Sequence, residues 1–210
     1  HLQTGLIERG FKQSAVDPCL FMKDKMICVI YVDDTIFTGP DGDELEKMIH
    51  SLTEDHGRTK TKYELESEGS VQDFLGINIT QLSEKSFRLT QTGLIQKILE
   101  KTMMIDAQSK STPASTTALG MDKDGEPFNE TWEYGSVVGM LMYLGTNSRP
   151  DIAFSVNQCA RHMHNPLESH AKAVKHICHY LLHGGVLFFC LKLVCCVHVV
   201  GEACCGMIHL

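Results

Sequence analysis

Residues 27–38 read Ile-Cys-Val-Ile-Tyr-Val-Asp-Asp-Thr-Ile-Phe-Thr. Two apolar runs, Met26–Val32 and Thr35–Thr38, bracket the acids Asp33 and Asp34. The runs are rich in β-branched and aromatic residues, so the pattern predicts two strands joined by a tight turn. Adjacent carboxylates at a hairpin tip work against stability. At contact distance two like charges repel by about 1 kcal/mol in water and about 4 kcal/mol at an effective dielectric of ~20. A divalent cation reverses the sign of that effect. Mg²⁺ is commonly held by one or two protein carboxylates together with substrate phosphates, as in phosphoryl-transfer sites. Taken alone, these letters also fit a polar hairpin turn with two solvated acids.

Turn and helix signals divide the rest of the chain. Leu2, Leu6 and Ile7 give a short amphipathic start, and Gly10 is placed to end it. Asp17-Pro18 marks a turn into the strand pair, and Gly39-Pro40-Asp41-Gly42 marks the exit. Asp43 is placed to cap a helix that presents Leu45, Met48, Ile49 and Leu52 at helical spacing. Arg58–Leu65 reads as a weak strand and Glu66–Gly69 as a loop. Phe74–Ile79 and Ser86–Thr90 form a second strand pair. Leu94, Ile95, Ile98, Leu99 and Met103 then mark an amphipathic helix. Asp106–Asn129 is rich in Ser, Thr, Pro and Gly and reads as a long connector. Three helical segments follow, at Tyr134–Leu144, Asp151–Met163 and Leu167–Leu182, with Pro150 at the entrance of the second. The last carries Ala171, Val174, Ile177, Cys178 and Leu181 on one face. Gly184–Leu210 has no pattern beyond being apolar.

Composition sets limits on function. The chain of 210 residues is 43% hydrophobic and 21% charged, which describes an ordinary globular protein. A net charge of −7 argues against unspecific nucleic-acid binding by the whole surface. A local basic face has candidates in Arg58, Lys60 and Lys62, and in Lys97, Lys101, Arg161, Lys172 and Lys175; ordinary solvated positions explain them equally. The nine cysteines are odd in number and follow no signal peptide, so a reduced, intracellular setting, cytoplasmic or nuclear, is expected. Cys28 reads as a core residue, and Cys19 and Cys178 fit the same role. His162, His164, His170, His176 and His179 crowd one region with Cys178, but the spacing matches no closed zinc site. Asp122-Lys123-Asp124-Gly125 lacks the later acid of a calcium loop. No stretch is long and apolar enough to span a membrane.

The strand pair and its flanks resemble the reverse transcriptase of copia-type retrotransposons. The resemblance rests on Gly10-Phe11-Lys12-Gln13-Ser14, Asp17-Pro18-Cys19-Leu20-Phe21, Tyr31-Val32-Asp33-Asp34 and Ile36-Phe37-Thr38-Gly39. It continues through Phe74-Leu75-Gly76-Ile77-Asn78-Ile79, Leu89-Thr90-Gln91 and Thr112-Pro113 to Tyr134-Gly135-Ser136-Val137-Val138-Gly139, Tyr143-Leu144 and Arg149-Pro150-Asp151-Ile152. These blocks keep the family's order across residues 5–185. The resemblance implies an α+β fold. A partial palm over 1–105 would hold the catalytic hairpin and a primer-grip-like hairpin. A connector over 106–130, a helical thumb- or connection-like region over 131–183 and a divergent tail over 184–210 would follow.

By the same resemblance, Asp33 and Asp34 are the catalytic, metal-holding acids for two Mg²⁺ ions. Among substrate-binding candidates, the Tyr31 ring packs beside the primer terminus or incoming nucleotide and Val32 supports the turn, against simpler roles as a half-buried strand aromatic and a core valine. Gln91 contacts template or primer, against a helix-cap role for the Thr90–Thr92 stretch. The partners implied are an RNA/DNA primer–template and deoxynucleoside triphosphates. The chain begins with His1, and the family's fingers and first palm strand, with a further metal-binding aspartate, would precede it. Val197–Gly201 resembles the first strand of an RNase H domain, but the expected tryptophan and paired aspartates are replaced by a stretch offering Glu202. Gly135 stands where the family has arginine. A fragment inactive by itself is therefore expected. The other reading is a decayed, non-enzymatic remnant that binds nucleic acid or a partner polymerase segment through an exposed palm edge.

Overall fold

A computed structural model describes residues 2–32, 34–54, 63, 66–70, 72–83, 86–122, 124–182, 189–192 and 204–209. In chain order the elements are α1 (Leu2–Glu8), β1 (Lys12–Gln13), β2 (Leu20–Lys23), β3 (Met26–Tyr31), β4 (Asp34–Gly39), α2 (Gly42–Leu52), β5 (Glu66–Ser70), β6 (Asp73–Phe74), β7 (Ile77–Ser83) and β8 (Ser86–Thr90). Then come α3 (Thr92–Lys101), α4 (Tyr134–Asn147), a 3₁₀ turn (Pro150–Ile152), α5 (Ala153–Ala160), α6 (Glu168–Leu182), β9 (Phe189–Lys192) and β10 (Cys204–His209). The fold is α+β, and it divides into two compact units.

The first unit comprises His1–Phe74, Gln81–Ser86 and Lys192–Leu210. Its six-stranded sheet has the order β1-β2-β3-β4-β10-β5. The β3–β4 pair is antiparallel, with Cys28 opposite Phe37 and Tyr31 opposite Asp34. Burial alternates along β4: Thr35, Phe37 and Gly39 face inward, while Asp34, Ile36 and Thr38 are half-buried. The period of two is what a strand with one face on a core requires. That core holds Leu2, Leu6, Phe11, Phe21, Cys28, Phe37, Leu45, Met48 and Leu52. Phe11 meets Phe37 edge to face at 6.3 Å.

Several local expectations are corrected here. Ile7 is 53% exposed, so the buried stripe of α1 is Leu2, Gly5 and Leu6. Gly10 does end the helix, in the left-handed conformation at φ 90° that glycine adopts without a Cβ penalty. The α2 cap is Asp41, not Asp43: Asp41 Oδ1 accepts from the N–H groups of Asp43 (2.9 Å) and Glu44 (3.2 Å). Cys19 is exposed rather than buried. Glu66–Ser70 is a strand where the local sequence reads as a loop, because pairing with β10 overrides its weak propensity. The outer edge of β4 is not open either. It is covered by β10, which places Cys204 opposite Gly39 and His209 opposite Asp34. Arg58–Leu65, with its basic cluster, lies outside the described residues apart from Tyr63, and Val197–Gly201 and Glu202 lie outside them altogether.

Arg9 ties α1 to the end of α2. It is 7% exposed, and its guanidinium donates to the carbonyls of Gly5, Ser51 and Glu54 and to Ser51 Oγ. A cation among the last carbonyls of a helix is favoured by the helix dipole as well as by hydrogen bonding.

The second unit comprises Leu75–Thr80 and Phe87–Leu191. β7 and β8 lie side by side, with β9 along β8. Helices α3 to α6 enclose a core that includes Ile98, Val137, Val138, Leu141, Leu144, Val174, Ile177 and Cys178. Phe128, Trp132 and Tyr134 cluster at one end, with Phe128 set edge-on to both other rings. Gly145 faces the start of α5, where a Cβ would make ordinary contact with Ile152 and the Ala153 backbone at 3.5 and 3.6 Å. Met103 falls beyond α3 and is 68% exposed, so it does not extend that helix's apolar face. The expected face of α6 is buried as read: Ala171, Val174, Ile177, Cys178 and Leu181.

The stretch 108–120 runs along α6 and is held there by histidines. His179 Nδ1 donates to the Gln108 carbonyl, His176 Nε2 to Thr112 at 3.1 Å, and His170 Nε2 to Gly120 at 3.1 Å. The Leu167 N–H donates to His170 Nδ1, and Lys110 Nζ donates to His176 Nδ1, which fixes the tautomers of both rings. His162 stacks on His170 with centroids 3.8 Å apart. The histidine cluster thus fastens a connector, and no group of three metal-ligating side chains occurs among the described residues.

Candidate active site

The β3–β4 hairpin turns in two residues. Tyr31 pairs with Asp34 across the strands, and Val32 stands at the turn between them. The tight turn expected from the sequence is therefore present, but shifted: Asp34 begins β4 instead of sitting between the strands. Two-residue hairpin loops favour turns with positive φ, which is why Asn-Gly and Asp-Gly dominate them. Here Val32 takes that role at φ 54°. A β-branched residue in this region is a genuine outlier and costs on the order of 1–2 kcal/mol. Strain of this kind gathers at functional sites, where geometry matters more than local stability.

Both loop-side neighbours face outward. Tyr31 is 53% exposed and Val32 77%, so Val32 is not a core valine and the Tyr31 ring is available for contact. Asp34 is half-buried at the start of β4, on the face opposite to Phe37. Asp33 lies outside the described residues. The Thr35 hydroxyl, next in sequence, is buried with no hydrogen-bond partner among the described residues. Below the hairpin, burial pushes the Cys28 thiol up to about 12, so it stays protonated and inert.

Gln91 belongs to the second unit. It sits before α3 without a side-chain cap bond. At 1% exposure it has no surface to offer a template or primer, and its Oε1 accepts from Ser148 Oγ at 2.8 Å. In place of a template or primer contact the side chain makes a buried bridge from the start of α3 to the end of α4. Sequence reasoning missed this bridge and the Arg149–Asp151 pair. Arg149 donates to Asp151 Oδ1 at 2.9 Å and to Oδ2 at 2.8 Å, and lies over the Tyr180 ring at 5.3 Å. The run Arg149-Pro150-Asp151 was the available signal, because a charged pair around a helix entrance in an apolar setting requires mutual neutralisation.

Residues 1–116, which include the whole hairpin, match the family described as reverse transcriptase (RNA-dependent DNA polymerase). The chain belongs to this family. Among its relatives, the retrovirus-related Pol polyprotein from transposon RE1 of Arabidopsis thaliana is 30% identical over 184 residues, covering 86% of this chain and 12% of that protein. The Pol polyprotein from transposon TNT 1-94 of Nicotiana tabacum is 30% identical over 177 residues, covering 79% of this chain and 13% of that protein. An uncharacterised mitochondrial protein of Arabidopsis thaliana is 30% identical over 163 residues, covering 78% of this chain and 63% of that protein. This reverse transcriptase segment thus spans a small part of the Pol polyproteins it matches. No solved structure matches the chain.

Polymerases of this family generally use divalent metals. The donor chemistry here suits one, since Asp34 offers hard carboxylate oxygens at a half-exposed strand end, next to a second acid in the sequence. No helix among the described residues is long and apolar enough to cross a membrane.

Proposed function

We propose that the β3–β4 hairpin is the catalytic tip of an RNA-directed DNA polymerase of a copia-type polyprotein. In this reading Asp33 and Asp34 hold Mg²⁺, and the chain contributes part of the cage rather than all of it. The observation that carries the proposal is the hairpin of a family member: Val32 stands at its turn at φ 54°, and Asp34 begins the paired strand that follows. When bound, two Mg²⁺ ions would neutralise phosphate charge and lower the pKa of the primer hydroxyl. The chain's own residues position. Pairing with β3 and β10 fixes the backbone at Asp34. The exposed Tyr31 ring supplies a flat face for the primer end or the incoming nucleotide, and Val32 holds the turn open to substrate.

A further aspartate from another segment completes the cage, so the purified chain is expected not to extend a primed RNA template with Mg²⁺ and nucleotides. Metal binding by the tip is the more direct test. Tb³⁺, a luminescent stand-in for Mg²⁺, should give saturable emission excited through Tyr31. That emission should be lost in Tyr31→Phe and in the double variant Asp33→Asn, Asp34→Asn. Emission indifferent to the double variant would refute the assignment.

A second reading, a folded non-catalytic remnant, is favoured by the β10 strand, which closes the edge of β4. Salt-sensitive primer–template binding that Mg²⁺ strengthens and the Asp33→Asn, Asp34→Asn variant loses supports the polymerase reading, and binding indifferent to both supports the remnant.

A further inference from the structure

The connector and helices α5 and α6 enclose a cavity of about 610 Å³, wholly within the second unit. This volume falls in the range of small-molecule sites, roughly 300–1,000 Å³. Its floor is apolar: Cys159 and Ile177 are each 1% exposed, and Ala173 lies beside them. Phe154, at the lining, is 72% exposed, an unusual position for a phenylalanine. Charge at the lining is Lys110 and Lys172 against Asp122, with His176 engaged as a neutral ring by Lys110 and the Thr112 carbonyl. Lys172 has no ion-pair partner among the described residues. The Ser169 hydroxyl also lines the cavity, and its oxygen is buried with no hydrogen-bond partner among the described residues. A buried hydroxyl left unpaired costs free energy that an incoming polar group recovers.

We infer that this cavity is a binding site for a small aromatic anion. The ring would lie on the apolar floor against Phe154, and the acidic group would meet Lys172 and Ser169. Neutral apolar compounds would fill the floor but leave the cation and the hydroxyl unanswered. Cations would meet two lysines. The site uses none of the hairpin residues, so it stands or falls independently of the polymerase reading.

The test uses the purified full chain and the fluorescent probe 1-anilinonaphthalene-8-sulfonate, with its uncharged relative N-phenyl-1-naphthylamine as control. Saturable binding of one sulfonate probe per chain is expected. Lys172→Glu should weaken the sulfonate probe roughly tenfold, the scale of reversing one charge at a partly solvated contact, and leave the uncharged probe unchanged. Ala173→Trp, which fills the floor, should abolish binding of both. Lys172 is exposed, so its variant keeps the fold and decides the matter even where Ala173→Trp does not fold. Unsaturable binding, or equal affinity of wild type and Lys172→Glu for the sulfonate probe, would overturn the inference.

Discussion

Replacing Arg149 by Ala should unfold the second unit far more readily than any surface change. Arg149 is 5% exposed, and the side chains of Arg149 and Asp151 retain 6% and 14% of their surface. Removing the guanidinium leaves the Asp151 carboxylate buried without its forked donor. Breaking one partner of such a pair costs about 3–5 kcal/mol. With a urea dependence of about 2 kcal/mol/M, the midpoint should fall by about 1.5–2.5 M. The chain has a single tryptophan, Trp132, which is 6% exposed in the same core, so its fluorescence reports this unit selectively. Arg149→Lys keeps the charge but not the fork, and should fall between the two. The pair also makes a pH signature. Burial alone would push the Asp151 carboxyl up, but hydrogen bonds from Arg149 and Tyr180 and the Arg149 charge outweigh it, holding the group below its ordinary 3.8. Stability from this source is therefore full above pH 3.8 and is lost as pH falls through the lower folded value. A loss below about 1 kcal/mol in Arg149→Ala, or additivity of Arg149→Ala with Asp151→Asn, would refute the reasoning.

Two other outcomes follow from geometry described above. Val32→Asn should stabilise the hairpin by about 1 kcal/mol, because asparagine tolerates positive φ, and slower amide exchange across β3 and β4 would register the gain. The connector should loosen in mild acid. Burial, the Lys110 charge and the neighbouring His179 lower His176 below its ordinary 6.5, against the Thr112 carbonyl, which raises it. Its contribution is complete above pH 6.5 and is lost as pH falls from there through the folded value, since the unfolded chain takes up the proton first. His162, lowered by burial, His170 and Arg161, acts in the same direction. Trp132-monitored melts between pH 7 and 5 should show falling midpoints, and His176→Gln should reduce the slope.

What the sequence revealed followed periodicity. The hairpin strands, α2, α3 and α6 show alternating or helical apolar patterns, and burial followed those patterns at Phe37, Leu45, Ile98 and Ile177. The turn was legible because a short polar break interrupts two β-branched runs, whereas the acid pair by itself fitted a solvated turn as well. What stayed hidden was non-local. Glu66–Ser70 has no strand propensity of its own, and β10 draws on a tail without pattern; each becomes a strand through its partner. Gln91, at the end of a strand, gives no local sign that its amide will be buried against a serine far along the chain. The hydrogen bonds of His170, His176 and His179 to connector carbonyls depend on a backbone path that spacing does not encode.

The position of β10 has a consequence for biosynthesis. Cys204–His209 is made long after β4 and β5, yet it occupies an interior place between them. Until residue 209 leaves the ribosome, the nascent hairpin carries a bare flank of amide and carbonyl groups, a template for pairing with a neighbouring nascent chain. Polysomes crowded on one message would bring such flanks together, so soluble yield should depend on translation rate and on chaperones that shield extended strands.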